Sequence, residues 1–320
     1  MQVEIYGVRG SIASPLTTSD IEKKILKVLE SIRPEDLESA QTRKEALARL
    51  PLATRGTYGG NTTCVILQSQ GSHMVLDMGT GLNRFSQECL HEGRKFSEDN
   101  PLYFLITHVH WDHIQGFPFF VPAYIAENHL KFYSGRPNYK QELLHQQVSP
   151  WCPAHFEFMR AHMTFDTLTV GETAEIGPFK IKAMHVHHPD NNLGYRVEAD
   201  GGVFVFLSDT EITQLKPEEL EVYKDFCEGA DVVYADCQYD FMGAWEKVTW
   251  GHSNAFSWID LLNGSDVETL LCSHFDPVTD DDLVLRFLDT ATKYVAIACD
   301  GKTPKILPAY EGYKMTLGDE

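Results

Sequence analysis

The densest group of potential metal ligands in this sequence directly follows a short apolar run at residues 101–106. His108, His110, Asp112 and His113 form the pattern HxHxDH. Polar side chains beside a buried strand cost free energy unless something compensates for their lost hydration. Imidazole and carboxylate groups bind zinc and other borderline divalent ions, and a strand end followed by a turn lets alternate residues face two neighbouring ions. The motif therefore predicts a metal site.

Four further candidate ligands lie downstream, each where a predicted strand gives way to a turn. They are His188, Asp209, His252 and His274. A single histidine in such a place is more often a hydrogen-bonded structural residue. Four such positions after one HxHxDH motif favour a shared functional site instead.

The apolar patterning predicts a chain of short strands interleaved with helices. Strands are expected at residues 3–8, 63–68, 73–77, 102–107, 180–186, 194–198, 203–208, 232–235, 269–272 and 294–298. Helices are expected at residues 21–32, 37–50, 138–147, 217–226, 255–262 and 281–290. This alternation is typical of a layered α/β domain. No repeat or low-complexity linker divides the sequence, so we predict a single domain over residues 1–320.

Two segments are predicted as insertions into this domain. Residues 14–53 place Ile21, Ile25 and Leu29 on one helical face, which indicates a helical hairpin. The hairpin could serve as a lid over a cleft, as a dimer contact or only as packing. Residues 122–168 are rich in aromatic side chains and are expected to form a cap-like insertion.

The composition is that of a globular chain without a membrane span. Hydrophobic residues make up 43% of the sequence and the mean hydropathy is -0.26. The longest largely apolar stretch, residues 117–126, is much shorter than the roughly 20 residues of a spanning helix. The N-terminal sequence has no signal-peptide pattern, and the 7 cysteines include no CxxC pair. We therefore expect a cytoplasmic protein with reduced thiols and no membrane partner.

The charge balance indicates which classes of partner the chain is expected to bind. The chain carries 27 basic and 46 acidic residues, which gives a net charge of -19 and a pI of about 5.1. This charge opposes a broad electrostatic hold on long nucleic acid. Bound metal ions can still attract a small anion locally. We therefore expect a small anionic substrate, and a homodimer is compatible with the amphipathic hairpin.

Six short motifs, in order along the chain, carry a resemblance to a known family. They are GVRGS at 7–11, YGGNT at 58–62, LDMGTG at 76–81, HWDHIQGFPFF at 110–120, GHS at 251–253 and HF at 274–275. The chain resembles the metallo-β-lactamase superfamily, in the branch near the ribonuclease Z-like and cyclic-nucleotide phosphodiesterase-like hydrolases. The resemblance covers most of the chain outside the two insertions. It implies an αββα sandwich with a dinuclear metal site between its two sheets.

The resemblance also implies a role for each candidate ligand. One ion would be held by His108, His110 and His188, the other by Asp112, His113 and His274, with Asp209 bridging them. His188 is favoured because it directly precedes Pro189, as in the family pattern, and His187 stays open as the alternative. Two divalent ions, expected to be zinc with manganese or iron as alternatives, would share a hydroxide and direct it at phosphorus or a carbonyl. Asp112 would orient this nucleophile, and His252 would donate a proton to the leaving group or stabilise its charge.

These features predict a dinuclear metal-dependent hydrolase, and specifically a phosphodiesterase acting on a small phosphodiester such as a cyclic nucleotide. A lactone or thioester hydrolase could use the same site with a different pocket. A non-catalytic metal-bound sensor or binding module is the alternative outside enzymes.

Oxygen-reducing di-iron chemistry is disfavoured because His110 stands where such family members place a carboxylate. Transfer-RNA processing is disfavoured because only 20 residues separate His188 from Asp209, which leaves no room for an RNA-holding arm.

Overall fold

The structure, a computed structural model, describes residues 1–150 and 152–318 and consists of two β-sheets with helices on their outer faces. The strands are β1 (Gln2–Gly7), β2 (Cys64–Ser69), β3 (Ser72–Leu76), β4 (Leu102–Leu105), β5 (His129–Ser134), β6 (His162–Thr167), β7 (Thr173–Ile176), β8 (Phe179–His185), β9 (Leu193–Ala199), β10 (Gly202–Leu207), β11 (Val232–Asp236), β12 (Thr269–Ser273), β13 (Lys305–Pro308) and β14 (Lys314–Thr316). The α-helices are α1 (Thr18–Ser31), α2 (Ala40–Arg49), α3 (Leu52–Arg55), α4 (Leu82–His91), α5 (Trp111–Ile114), α6 (Tyr139–Gln146), α7 (Pro217–Cys227), α8 (Phe241–Glu246), α9 (Ala255–Leu262) and α10 (Asp281–Ala298). Short 3₁₀ helices lie at Pro34–Leu37, Phe117–Phe119, Val121–Tyr124 and Phe156–Phe158. The αββα sandwich expected from the sequence is confirmed.

The strand directions explain why the candidate ligands can meet. The first sheet has the order β14-β1-β2-β3-β4-β5-β6, and β3 to β6 run parallel. The second has the order β13-β12-β11-β10-β9-β8-β7, and β10 to β13 run parallel. Because β8 and β10 are both antiparallel to the intervening β9, they point the same way. In each sheet, the strands that precede candidate ligands therefore end at the same edge.

Alternating residues of the strands hold the two sheets together. In β2, Val65 and Leu67 belong to the large core cluster that also contains Phe204 and Phe206 of β10. The intervening Ile66 belongs to a second cluster, which packs the first sheet against α4. This alternation follows from the period of two along a strand. Each large apolar side chain buried in this way contributes about 1.5–3 kcal/mol, which fixes the strand ends in position.

The strand predicted at residues 294–298 is wrong, because these residues form the last turns of α10. The side chain of Asp280 caps this helix by accepting the backbone N–H of Leu283 at 2.8 Å. The ring of Tyr294 packs edge-on against Phe256 at 5.2 Å. The cap and this tertiary contact outweigh the weak strand propensity of the segment. Neither α10 nor any other helix in the described ranges has the length and apolar character needed to cross a membrane.

The segment at residues 122–168 supplies two strands to the first sheet. β5 pairs in parallel with β4, and β6 forms the far edge of the sheet. The ring of Phe132 stacks on Phe104 at 4.6 Å and on Phe165 at 4.7 Å. At β5 and β6 the segment therefore continues the sandwich, and a cap-like insertion stays a prediction for the residues between these strands.

A buried carboxylate ties the segment of α1 to α3 to the start of α10. Asp281 is 3% exposed, and its side chain lies 2.8 Å from Nζ of Lys24 and 3.7 Å from Nη2 of Arg9. One of its oxygens also accepts the backbone N–H of Tyr58 at 3.1 Å. The neighbouring Asp282 pairs with a lysine at an exposed position. The two adjacent aspartates therefore differ in their expected contribution to stability.

We expect Asp281→Ala to lower the free energy of unfolding by about 3–5 kcal/mol, because it leaves the buried guanidinium of Arg9 without its carboxylate partner. Asp282→Ala removes only an exposed ion pair and should cost within about 1 kcal/mol. Urea unfolding of both variants beside the parent protein measures the difference. Equal costs for the two substitutions would contradict this assignment.

Candidate metal centre

Seven side chains singled out in the sequence come together where the strands end. They form two groups, in each of which one ligand atom per residue lies within 4.8 Å of all the others. The first group is His108, His110, His188 and Asp209, and the second is Asp112, His113, Asp209 and His274. Asp209 belongs to both groups. The sheet edges thus unite residues that are up to 166 positions apart in the sequence.

The carboxylate of Asp209 faces each group with a different oxygen. Oδ1 lies 2.8 Å from Nε2 of His113 and 2.9 Å from Nε2 of His274. Oδ2 lies 3.7 Å from Nε2 of His108 and 4.0 Å from Nε2 of His188. This placement is the one expected of a carboxylate that bridges two cations.

In three of the imidazole rings, a hydrogen bond at Nδ1, the nitrogen that points away from the centre, fixes the orientation of the ring. Nδ1 of His113 donates to Oδ2 of Asp77 at 2.7 Å, and Nδ1 of His188 donates to a backbone carbonyl at 2.9 Å. Nδ1 of His108 donates to the hydroxyl of Thr107 at 3.0 Å, because that hydroxyl gives its own proton to Asp77. In each ring, Nε2 is then left with its lone pair directed into the centre, as in metal-binding histidines.

Within the described residues, no hydrogen-bond donor reaches two of the inward-facing nitrogens, which face the carboxylate of Asp209 instead. Nε2 of His108 and Nε2 of His113 are buried and make no hydrogen bond within the described ranges. Nδ1 of His110 and Nε2 of His188 lie 3.3 Å apart, and the other nitrogen of each ring is engaged elsewhere, so two lone pairs face each other. Divalent ions that accept imidazole and carboxylate ligands would satisfy these atoms. The donor set therefore fits a metal centre.

The carboxylates of the centre favour positive charge between the rings. Burial by itself lowers the pKa of His274, but Asp209 and Asp112 raise it to about 10. Burial by itself raises the pKa of Asp112, but His113 and His274 hold it well below its ordinary value. The negative electrostatic potential of the carboxylates, which raises the pKa of His274, would also stabilise a bound cation.

The ring of His252 lies beside both groups of candidate ligands. Its ring centroid lies 5.1 Å from that of His274 and 5.4 Å from that of His188. Nδ1 of His252 donates to Oδ2 of Asp236 at 2.7 Å, which leaves Nε2 free to meet a substrate. Asp236 is fully buried and also accepts the backbone N–H of Ser253 at 3.3 Å. Asp236 therefore fixes the orientation of His252.

The structure brings His188 into the centre and leaves His187 outside it. The side chain of His187 is exposed, and its backbone N–H donates to the hydroxyl of Tyr223 at 2.6 Å. His187 belongs to neither group of candidate ligands. Of the two alternatives that the sequence leaves open, the geometry favours His188.

Glu211 is a positioning residue that sequence reasoning missed. Its carboxyl oxygens accept the backbone N–H of Thr249 at 3.0 Å and of Gly251 at 2.8 Å, and it is 3% exposed. Its own N–H donates to the carbonyl of His187 at 2.8 Å. The carbonyl of Gly251 in turn accepts Nδ1–H of His188. Glu211 therefore positions His188 through two backbone segments, at Gly251 and at His187. An acidic residue two positions after Asp209 was the only signal in the sequence.

Comparisons with known proteins agree with this architecture. A family model described as "Beta-lactamase superfamily domain" matches residues 75–275. No curated protein matches the sequence significantly.

Several solved structures share the fold. Zn²⁺-bound PqqB from Methylobacterium extorquens has a TM-score of 0.65 at 14% identity, over 99% of this chain and 100% of that chain. The short form of human tRNase Z has a TM-score of 0.60 at 13% identity, over 99% of each chain. A diphosphatase of the PhnP family has a TM-score of 0.58 at 14% identity, over 99% of this chain and 97% of that chain. At these identities the likeness concerns the fold alone.

We expect Glu211→Ala to weaken the affinity of the first ligand group for Zn²⁺ by about 10–100-fold, the usual effect of removing a group that orients a metal ligand. Glu211→Gln keeps one oxygen acceptor and should lose less. Glu219→Ala, at the exposed start of α7, is the matched control and should bind as the parent protein does. Competition with a chromophoric chelator measures the affinities. Parental affinity in Glu211→Ala would refute the positioning role.

Proposed function

Because the chain belongs to the metallo-β-lactamase superfamily, we propose that it is a metal-dependent hydrolase that acts on a small phosphodiester such as a cyclic nucleotide. One observation carries the proposal: the two oxygens of Asp209 face two separate groups of imidazoles, and His252 lies against both groups. Two divalent ions held there would supply a nucleophile at neutral pH and stabilise negative charge on the phosphoryl oxygens. We propose His108, His110 and His188 for one ion, Asp112, His113 and His274 for the other, and Asp209 between them.

The fixed orientation of two side chains supports their proposed catalytic roles. Oδ2 of Asp112 accepts the backbone N–H of Ser11 at 2.7 Å, so this carboxylate is held in place to orient the attacking group. His252 presents Nε2 because Asp236 binds its Nδ1. A protonated His252 can therefore give its Nε2 proton to the departing oxygen, and Asp236 stabilises the imidazolium that makes this transfer possible.

A lysine beside the centre supports an anionic substrate in a chain whose net charge is -19. Nζ of Lys247 lies 4.1 Å from the centroid of the Tyr239 ring, and that ring meets His252 edge-on at 5.7 Å. The ammonium group also lies 3.5 Å from Oδ2 of Asp276. The ring of Tyr239 thus lies between this cation and the proposed proton donor in the chain of contacts, and we propose that the cation helps to attract the phosphodiester.

Zinc is the metal that we propose, with manganese or iron as alternatives. Five of the six unshared ligands proposed above are imidazoles and the sixth, Asp112, is a carboxylate. This combination of ligands suits all three metals. The presence of Zn²⁺ in the PqqB structure makes zinc the first choice for reconstitution. The diphosphatase among the structural neighbours makes phosphoryl substrates the first class to test.

The cysteines support the proposed cytoplasmic location. All seven are free thiols, and six of them are buried. Free thiols are typical of the reducing cytosol, whereas secreted domains commonly pair theirs.

The purified protein with Zn²⁺ or Mn²⁺ should hydrolyse bis(4-nitrophenyl) phosphate, and Asp112→Ala should abolish turnover because it removes a proposed ligand and orienting group. Asp289→Ala, an exposed residue of α10, is the control and should retain full activity. Release of 4-nitrophenolate measures the rate, and elemental analysis counts the bound ions. An inert parent protein with two ions bound would contradict the phosphodiesterase proposal and direct the search to carboxyl esters, thioesters and then a sensor role.

We expect His252→Ala to lower kcat by roughly 10²–10⁴-fold on a cyclic nucleotide while the number of bound ions stays the same. The loss should be smaller on bis(4-nitrophenyl) phosphate, because 4-nitrophenolate leaves without a proton. The ratio of the two losses tests the proton-donor role separately from metal binding. An equal loss on both substrates would show that His252 acts in another way.

A further inference from the structure

Helix α1 exposes the apolar side chains that an amphipathic helix normally buries. None of its 14 residues is buried. Ile21, Ile25 and Leu29 recur every four residues and are 47%, 53% and 63% exposed. Side chains with this spacing lie on one face of a helix. The chain as a single copy therefore leaves an apolar stripe in contact with water.

The attachment of α1 to the rest of the protein depends on its lysines instead. Nζ of Lys24 lies 2.8 Å from Oδ2 of the buried Asp281 and also donates to the carbonyl of Ala53. Lys27 pairs with Asp282 one residue further along α10. The polar side of α1 thus binds the body of the protein, and its apolar stripe stays available.

A groove beside the stripe enlarges this surface. The groove has a volume of about 400 Å³ and is bounded by α1 on one side and by Leu47 and the turn at residues 54–57 on the other. Leu16 and Val28 contribute further apolar lining. Large apolar patches on soluble proteins mark interaction sites more often than free surface. We name Ile21, Ile25, Val28, Leu29 and Leu47 the α1 face.

The charge distribution indicates what the α1 face binds. Residues 18–55 contain eight basic and seven acidic residues, whereas the rest of the chain contains 19 basic and 39 acidic residues. The acidic parts of two copies of the chain repel each other. This repulsion is nearly absent where residues 18–55 of one copy meet residues 18–55 of the other, because this segment is nearly neutral. Helix α1 itself has three lysines and three acidic residues, so it lacks the excess of positive charge typical of helices that bind anionic membranes.

We propose that the α1 face binds the same face of a second copy of this chain, forming a two-fold symmetric dimer. In such an interface each residue of the stripe meets the equivalent stripe of the partner, so one apolar surface covers the other. The α1 helices are about 21 Å long at 1.5 Å per residue, which allows contact over roughly four turns. This dimer does not depend on the proposed hydrolase activity.

Sedimentation analysis of the metal-loaded protein tests the proposal. We expect a particle of twice the 36.2 kDa chain mass. The double variant Ile25→Glu and Leu29→Glu should raise the dissociation constant by at least about a hundredfold, because the two-fold interface would bury four unpaired carboxylates. Val278→Glu and Ile297→Glu change side chains that are 87% and 86% exposed outside the α1 face, and should leave the dimer intact.

Salt dependence provides a second readout that needs no variant. Because the acidic remainder of each copy repels the other, added NaCl should screen this repulsion and tighten the dimer. A monomeric parent protein, or a dimer unaffected by the double variant, would overturn the proposal. A dimer weakened by salt would contradict the charge argument. Binding of a monomeric protein to anionic phosphatidylglycerol vesicles, lost in the double variant, would assign the face to a membrane surface instead.

Discussion

The structure depends above all on placing one buried carboxylate, that of Asp209, between two sets of imidazoles. Each set combines residues from both sheets, since His108 and His113 follow β4 of the first sheet whereas His188 and His274 follow β8 and β12 of the second. Both sheets must therefore present the ends of their strands at a common edge. The apolar core between the sheets fixes this arrangement before any ligand binds, which makes the stability of the sandwich a condition for the chemistry.

The backbone at this edge is held in costly conformations. Asp77, Asp209 and His274 have positive φ values of 56°, 50° and 58°, in the left-handed region that residues other than glycine rarely adopt. Each such residue costs of order 1–3 kcal/mol, and strain of this kind is concentrated at functional sites. All three follow closely after a strand and are buried. The surrounding hydrogen bonds, such as that from His113 to Asp77, stabilise the turns that aim the side chains inward.

The sequence was most informative where residue type and local pattern coincide. Histidine and aspartate at predicted strand ends identify His188, Asp209 and His274 because the strands around them are strongly apolar. Glu211 escaped detection because its partners, Thr249 and Gly251, are 38 and 40 residues away and no local pattern links them. The false strand at residues 294–298 arose because local propensity does not register the cap and packing that extend α10. Long-range contacts thus account for what sequence patterns do not predict.

Anomalous X-ray diffraction from crystals of the zinc-loaded protein tests the central proposal most directly. The proposal predicts two zinc peaks per chain, about 3.5–4 Å apart as in dinuclear hydrolytic sites, with one oxygen of Asp209 on each. The three unshared ligands of each proposed group should surround the corresponding peak. A single peak, or two peaks that do not share Asp209, would contradict the proposed dinuclear centre.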